Sequence, residues 1–234
     1  MDKICIFIII LIVIIVFAIS GMGVCIALLV KESKSDQKES NNNNHLQKTV
    51  TGGIIEGYLG QMEDVEIFKS VPYAAPPIGN LRWRRPQNVI PWKGILKCTK
   101  QGPNPIQWED PKKPGEYGAE AFPDPTVGYS EDCLTINIWS NKKGQKMPVL
   151  LFVYGGGWTG GGNSVEIYNG EYLASQKVVF VCPNYRLGLF GFLASDVLAD
   201  EDPEGSTGNY GLMDVVKALE WVKENIEQFG GDPN

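Results

Sequence analysis

The chain has 234 residues, 43% of them hydrophobic, and a formal net charge of -6. Its acidic residues are scattered and no basic stripe is available to neutralise phosphates, which argues against nucleic acid as a partner. Five cysteines form an odd set with two, Cys5 and Cys25, inside an apolar run, so no disulfide framework is implied. Cys98, Cys133 and Cys182 read as small buried apolar residues.

Residues Ile4 to Val30 carry no charged side chain. As a helix rising ~1.5 Å per residue this stretch would reach ~40 Å, enough to cross a bilayer core. It is long for the apolar region of a cleaved signal peptide, so a retained transmembrane signal anchor is the favoured reading of residues 1–30. Lys3 lies on one side and Lys31, Lys34 and Lys38 on the other, and the positive-inside rule alone would keep the larger part inside. Residues 31–48 then turn polar, with four asparagines in a row from Asn41, and read as a flexible linker. The single histidine, His45, falls in this linker, where nothing rigid would hold it for catalysis or for a metal.

From residue 49 to 234 the pattern becomes that of an α/β domain. Ile54 to Tyr58 and Val65 to Phe68 read as short strands, and Val71 to Trp92, dense in proline and aromatics, as ordered irregular chain. Leu134, Ile136 and Ile138 alternate with Thr135, Asn137 and Trp139, the period of a strand with two different faces. Val149 to Val153 and Val178 to Val181 are continuous apolar runs, which predict strands buried on both faces beneath helices. Tyr210 to Phe229 has apolar residues at steps of three and four: Leu212, Val215, Val216, Leu219, Val222, Ile226 and Phe229. This predicts a helix with that face on the sheet, capped by Thr207 or Asn209 and ended by Gly230. A strand is expected just after Pro233.

Val149 to Val153 leads into Tyr154-Gly155-Gly156-Gly157-Trp158-Thr159-Gly160-Gly161-Gly162, six glycines in eight positions from Gly155. Without Cβ atoms, successive N–H groups can converge on one point and an oxygen can approach closely, which is what a tetrahedral oxyanion requires. Gly155, Gly157 and Gly160 also match the dinucleotide fingerprint. However, Gly160-Gly161-Gly162-Asn163 is poor helix sequence, and the next strand ends in Cys182-Pro183 where a ribose-binding carboxylate is wanted. A phosphate-binding P-loop would need Gly-Lys-Ser/Thr, which is absent. A loop with no ligand at all is the remaining alternative.

Several separated stretches together resemble the type-B carboxylesterase and cholinesterase family: Phe68 to Trp83 (FKSVPYAAPPIGNLRW), Glu131 to Trp139 (EDCLTINIW), Asn184 to Leu193, Gly208 to Asp214 and Phe229 to Pro233, in family order. The resemblance implies an α/β-hydrolase fold, here its amino-terminal part, with a mixed, mostly parallel sheet flanked by helices. It implies a serine hydrolase acting on small-molecule carboxylic esters, with no cofactor and no metal. Gly156 and Gly157 would be oxyanion donors, and Arg82 with Glu131 and Arg186 with Asp214 would form two structural ion pairs. The nucleophile elbow, Gly-x-Ser-x-Gly, and the acidic and histidine members of the triad would lie beyond Asn234. Ser164, Ser195 and Ser206 lack the elbow pattern, so the chain is expected to be inactive alone. The family commonly bridges the cysteine of Glu-Asp-Cys to one after Gly-Pro, but Gly102-Pro103-Asn104-Pro105 has none, leaving Cys98 as the nearby candidate. A non-catalytic, membrane-linked binding or adhesion protein is the alternative functional reading.

Overall fold

The computed structural model describes residues 46–107 and 121–234. The readings placed on residues 1–30 and on His45 lie outside the described residues. Among the described residues no helix is long and apolar enough to cross a membrane.

Leu46 to Lys48, placed in the linker by composition, already belong to the first strand, β1 (Leu46–Val50). β1 pairs antiparallel with β2 (Gly53–Leu59). Main-chain pairing across a tight turn orders this stretch, a contribution that composition does not register. β3 (Val65–Pro72), the short β4 (Ile95–Lys97), β5 (Asn104–Pro105) and β6 (Tyr129–Ser130) follow, then β7 (Thr135–Asn141), β8 (Val149–Leu151) and β9 (Val179–Pro183). Four α-helices are described: α1 (Glu171–Ser175), α2 (Gly188–Phe192), α3 (Asp196–Asp200) and α4 (Tyr210–Asn225).

The main sheet runs β1-β2-β3-β7-β9-β8, with β4 beside β2. It is mostly antiparallel, a correction to the mostly parallel sheet expected. β1–β2, β2–β3, β3–β7 and β7–β9 are antiparallel, and only β8–β9 and β2–β4 are parallel. Short connections such as those from β1 to β2 and from β2 to β3 allow only antiparallel neighbours. The continuous apolar runs correctly mark β8 and β9, which are parallel to each other across the α1 crossover, but these two strands do not speak for the rest of the sheet.

Alternation along the strands sorts the core onto two faces. Ile136, Ile138, Val179 and Val181 join Ala218, Trp221, Ile226 and Phe229 from α4 and its 3-10 extension on one side. Trp139, Phe180 and Cys182 join Ala174 of α1, Tyr154 and Tyr185 on the other. β9 is buried along its whole length, as expected. β8 is not: Leu150 is 45% exposed, because among the described residues β8 ends the strand order and pairs with β9 alone. Past α4, Gly230 takes the left-handed conformation that terminates the helical run, and the chain then meets the start of β8. There the Met147 N–H donates to Gly230 O and the Asp232 N–H to Met147 O, both at 2.9 Å.

The long helix forms where predicted, but its buried face is turned from the one expected. Leu212, Val216 and Leu219 are exposed, while Tyr210, Asp214, Ala218, Trp221 and Asn225 face inward with Val222, Ile226 and Phe229. Small Ala218 lets the helix approach the sheet. The two polar residues are tolerated there because each finds a distant partner: Arg186 for Asp214, and the Thr51 N–H for Asn225 Oδ1 at 2.7 Å. Asn209 stands at the N-cap without a side-chain capping bond.

Candidate functional site

The glycine loop leaves the carboxyl end of β8 and is held in one shape. Gly156 O accepts from Thr159 N (3.1 Å), Gly160 N (3.2 Å) and Thr159 Oγ1 (3.1 Å), which turns that carbonyl into the loop. Gly156 has φ +129° and a Cβ there would run into the carbonyl of Gly160, so no other residue fits. Gly157 has φ +61° with open space around it. Among the described residues no acceptor meets the N–H of Gly156 or of Gly157. Trp158 sits at φ +65°, an uncommon conformation for a bulky side chain. Its ring packs on Tyr185 and Phe192, and its carbonyl accepts from Gly188 N at 2.8 Å.

Both ends of the loop are tied to the sheet. At the front, Tyr185 Oη donates to Tyr154 O at 2.7 Å, and burial pushes that phenol up to about 12, so it remains a donor. At the back, Asn163 is enclosed by amides: its N–H donates to Asn184 Oδ1 (2.8 Å), its Nδ2 to Cys182 O (3.1 Å), and its own carbonyl accepts from Asn137 Nδ2 (2.9 Å). Gln101 joins Asn163 Oδ1 to this group, and Gln107 bonds both backbone groups of Gly161. Buried amides must be paired or pay a desolvation cost of ~1–3 kcal/mol each, so this network selects one backbone path for the loop.

The structure brings together both arginine–carboxylate pairs. Arg82 donates through Nε and Nη2 to Glu131 at 2.5 and 2.6 Å, joining the proline-rich opening segment to the chain before β7. Arg186 donates through Nε (2.8 Å), Nη2 (2.7 Å) and its backbone N–H (3.0 Å) to Asp214 on α4. Burial pushes the Asp214 carboxyl up, and the Arg186 guanidinium opposes that shift. The second pair bears on the loop directly. Asp214 fixes Arg186, and the adjacent Tyr185 holds the carbonyl from which the glycine loop starts.

A cleft of about 380 Å³ lies against the loop, lined by Gln107, Phe122, Tyr129, Gly156, Gly161 and Tyr168. Its size and aromatic walls suit a small organic molecule. Cys98, Cys133 and Cys182 are buried and unbridged. Burial pushes the thiols of Cys98 and Cys182 up to about 12 and raises Cys133 as well, so none offers a thiolate nucleophile at neutral pH. Among the described residues no cluster of His, Cys, Asp and Glu could hold a metal. Ser164 Oγ bonds Asn104 Oδ1 and the Asp124 N–H, Ser195 caps α3, and neither has a basic partner among the described residues. The residues that sequence reasoning missed are Gln101, Gln107, Asn137, Asn163 and Asn184. Asn137 and Asn184 fall inside stretches that resemble the family but carry no sign there of a role at the loop, and Gln101, Gln107 and Asn163 are isolated polar residues in irregular chain.

Residues 44–234 match the model of the carboxylesterase family. The chain is 44% identical over 191 residues to fumonisin B1 esterase of Sphingopyxis macrogoltabida, a match covering 81% of this chain and 33% of that protein. It is 41% identical over 171 residues to acetylcholinesterase of Bungarus fasciatus (72% of this chain, 27% of that one). Against acetylcholinesterase of Danio rerio it is 41% identical over 169 residues (71% and 26%). The chain thus spans about a third or less of the length of these relatives. With those matches in family order, this chain belongs to the carboxylesterase family.

Proposed function

We propose that this chain is the oxyanion-stabilising part of a serine hydrolase acting on small-molecule carboxylic esters. The observation that carries the reading is the pair of unengaged N–H groups at Gly156 and Gly157, in a loop held at both ends beside an aromatic-lined cleft. When a hydroxyl attacks an ester carbonyl, negative charge gathers on the carbonyl oxygen. Donors already aimed at that oxygen stabilise it without reorganising. The nucleophile, its general base and the orienting acid are proposed to come from residues following Asn234, so the 234 residues alone do not turn over ester.

The test compares hydrolysis of a short p-nitrophenyl ester by the 234-residue chain and by a chain carried through its downstream coding sequence. Turnover only in the longer chain is expected, and Gly156→Ala in that chain, whose Cβ would run into Gly160 O and turn the loop's donors away, should lower kcat by ~10²–10³-fold. A folded longer chain that contains an elbow serine and cleaves no ester would instead favour the binding-protein reading.

Residues Ile4 to Val30 are further proposed to insert in a membrane, on the strength of their uncharged length. The full chain should then stay with membranes through carbonate extraction, and recovery at full mass in the soluble fraction would contradict the anchor.

A further inference from the structure

We infer that Gln107 is a positioning residue, whose side-chain amide takes the place of a neighbouring strand and sets the direction of the glycine loop. The inference rests on the oxyanion reading for its functional meaning and on the loop's own geometry for its evidence. Gln107 Oε1 accepts from Gly161 N at 2.8 Å, and Gln107 Nε2 donates to Gly161 O at 2.6 Å. One side chain therefore engages both backbone groups of one residue, as a strand partner does in a ladder. The second N–H of Nε2 goes to Pro105 O at 3.0 Å. That bond leaves the amide one orientation, because a flipped amide would turn its oxygen onto two carbonyls.

Gly161 is where this hold matters. The loop returns there to its own beginning: a Cβ on Gly161 would meet Gly155 O and the Tyr154 ring, so the two ends of the loop lie against each other. Tyr185 holds the outgoing end through Tyr154 O, and Gly188 holds the tip through Trp158 O. Neither controls the returning end. Between Gly156 and Gly161 the loop is closed by bonds onto Gly156 O from residues 159 and 160. A tilt at Gly161 is thus passed through Gly160 to the peptide that carries the Gly157 N–H. A 3-centre hold of this kind, on backbone that no strand accompanies, fits a site whose donors must be in place before charge develops. Gln107 itself is fixed because it follows β5, whose Asn104 is fully buried and bonded to Asp124 O and Ser164 Oγ.

The experiment is hydrogen–deuterium exchange on the full chain, read on peptides covering residues 155–162 and, as internal reference, on peptides covering β7 and β9. Gln107→Met keeps the side chain's length and volume but removes all three hydrogen bonds. It should speed exchange in 155–162 by about ten-fold or more and leave the reference peptides unchanged. Gln107→Glu keeps an acceptor for Gly161 N but turns an anion onto two carbonyl oxygens. It should exceed the Met variant at pH 7.5 and approach the parent as pH falls through the carboxylate range, since a protonated carboxyl again donates. Loop exchange within about two-fold of the parent in the Met variant, or equal acceleration of loop and reference peptides, would overturn the inference. Because exchange reads the loop and not ester cleavage, failure here leaves the oxyanion reading standing, and failure of that reading leaves this result intact.

Discussion

Arg82–Glu131 and Arg186–Asp214 are the same chemistry in two surroundings. Each guanidinium meets its carboxylate through Nε and Nη2. The first pair is open to water, with Arg82 40% and Glu131 20% exposed, whereas in the second Arg186 is 3% exposed and Asp214 not at all. Geometry alone would rate them equal. Burial separates them, because a buried charge left without its partner keeps the whole desolvation cost, while an exposed one is rehydrated. The buried pair thus fixes the chain between β9 and α4 and, through Tyr185, the start of the glycine loop. The exposed pair steers the opening segment at little energetic stake.

The largest expected effect comes from cutting the buried pair on one side. Arg186→Ala should cost ~3–5 kcal/mol in urea unfolding, with Arg186→Lys losing less because a cation remains near Asp214. Equal stability of both variants and the parent would place the pair outside the fold's energetics. Removing both charges at once sharpens the point: Arg186→Met with Asp214→Leu should recover most of the single-variant loss, since no unpaired buried charge remains. Failure to recover would mean that the backbone bond from Arg186 N to Asp214 matters more than the charges.

Next in size is the exposed pair, where Arg82→Ala should cost at most about a fifth of the Arg186→Ala loss. Roughly 1 M salt should erase that difference while leaving the Arg186 effect nearly whole. A large, salt-insensitive loss at Arg82 would break the comparison.

The smallest effect is one of pH. Arg85, through Nε (2.8 Å) and Nη2 (3.0 Å), holds the Asp202 carboxyl well below its ordinary 3.8. A carboxyl with a depressed folded pKa adds stability that is present above the unfolded value and is lost as pH falls below it. Asp214 is shifted the other way by burial, so acid does not remove a contribution of this sign there. Asp202→Asn should therefore flatten the acid limb of the stability profile below about pH 4. An unchanged limb would remove Asp202 from the acid response.

These contrasts mark what was legible in the sequence. The position of the glycine loop could be read because its composition is local: six glycines follow directly on the apolar run that forms β8. The strand cores of β2, β3, β7, β8 and β9 could be read because alternation and apolar runs are properties of neighbouring residues. The inward face of α4 could not. Its periodicity gives no sign of Asp214 or Asn225: the resemblance alone pairs Asp214 with Arg186, and Asn225 looks like a solvent residue until Thr51 is brought to it from 174 positions away. The mostly parallel sheet implied by the resemblance failed on these strands: short connections make β1–β2 and β2–β3 antiparallel, and the β3–β7 pairing joins segments separated by the whole proline-rich stretch, which no local pattern announces. Gln107 was invisible because only its position beside Gly161 gives a lone glutamine a role.

In the proposed function the described residues supply oxyanion-stabilising donors, and none of the serines among them is an activated nucleophile. The most direct test is the intact mass of the folded 234-residue chain after exposure to a fluorophosphonate, which adds to activated serines. The predicted result is an unmodified mass, because Ser164 is committed to Asn104 and the Asp124 N–H, Ser195 to the cap of α3, and among the described residues no thiolate or free base stands beside either. Stoichiometric addition of one phosphonyl group at any serine would contradict it.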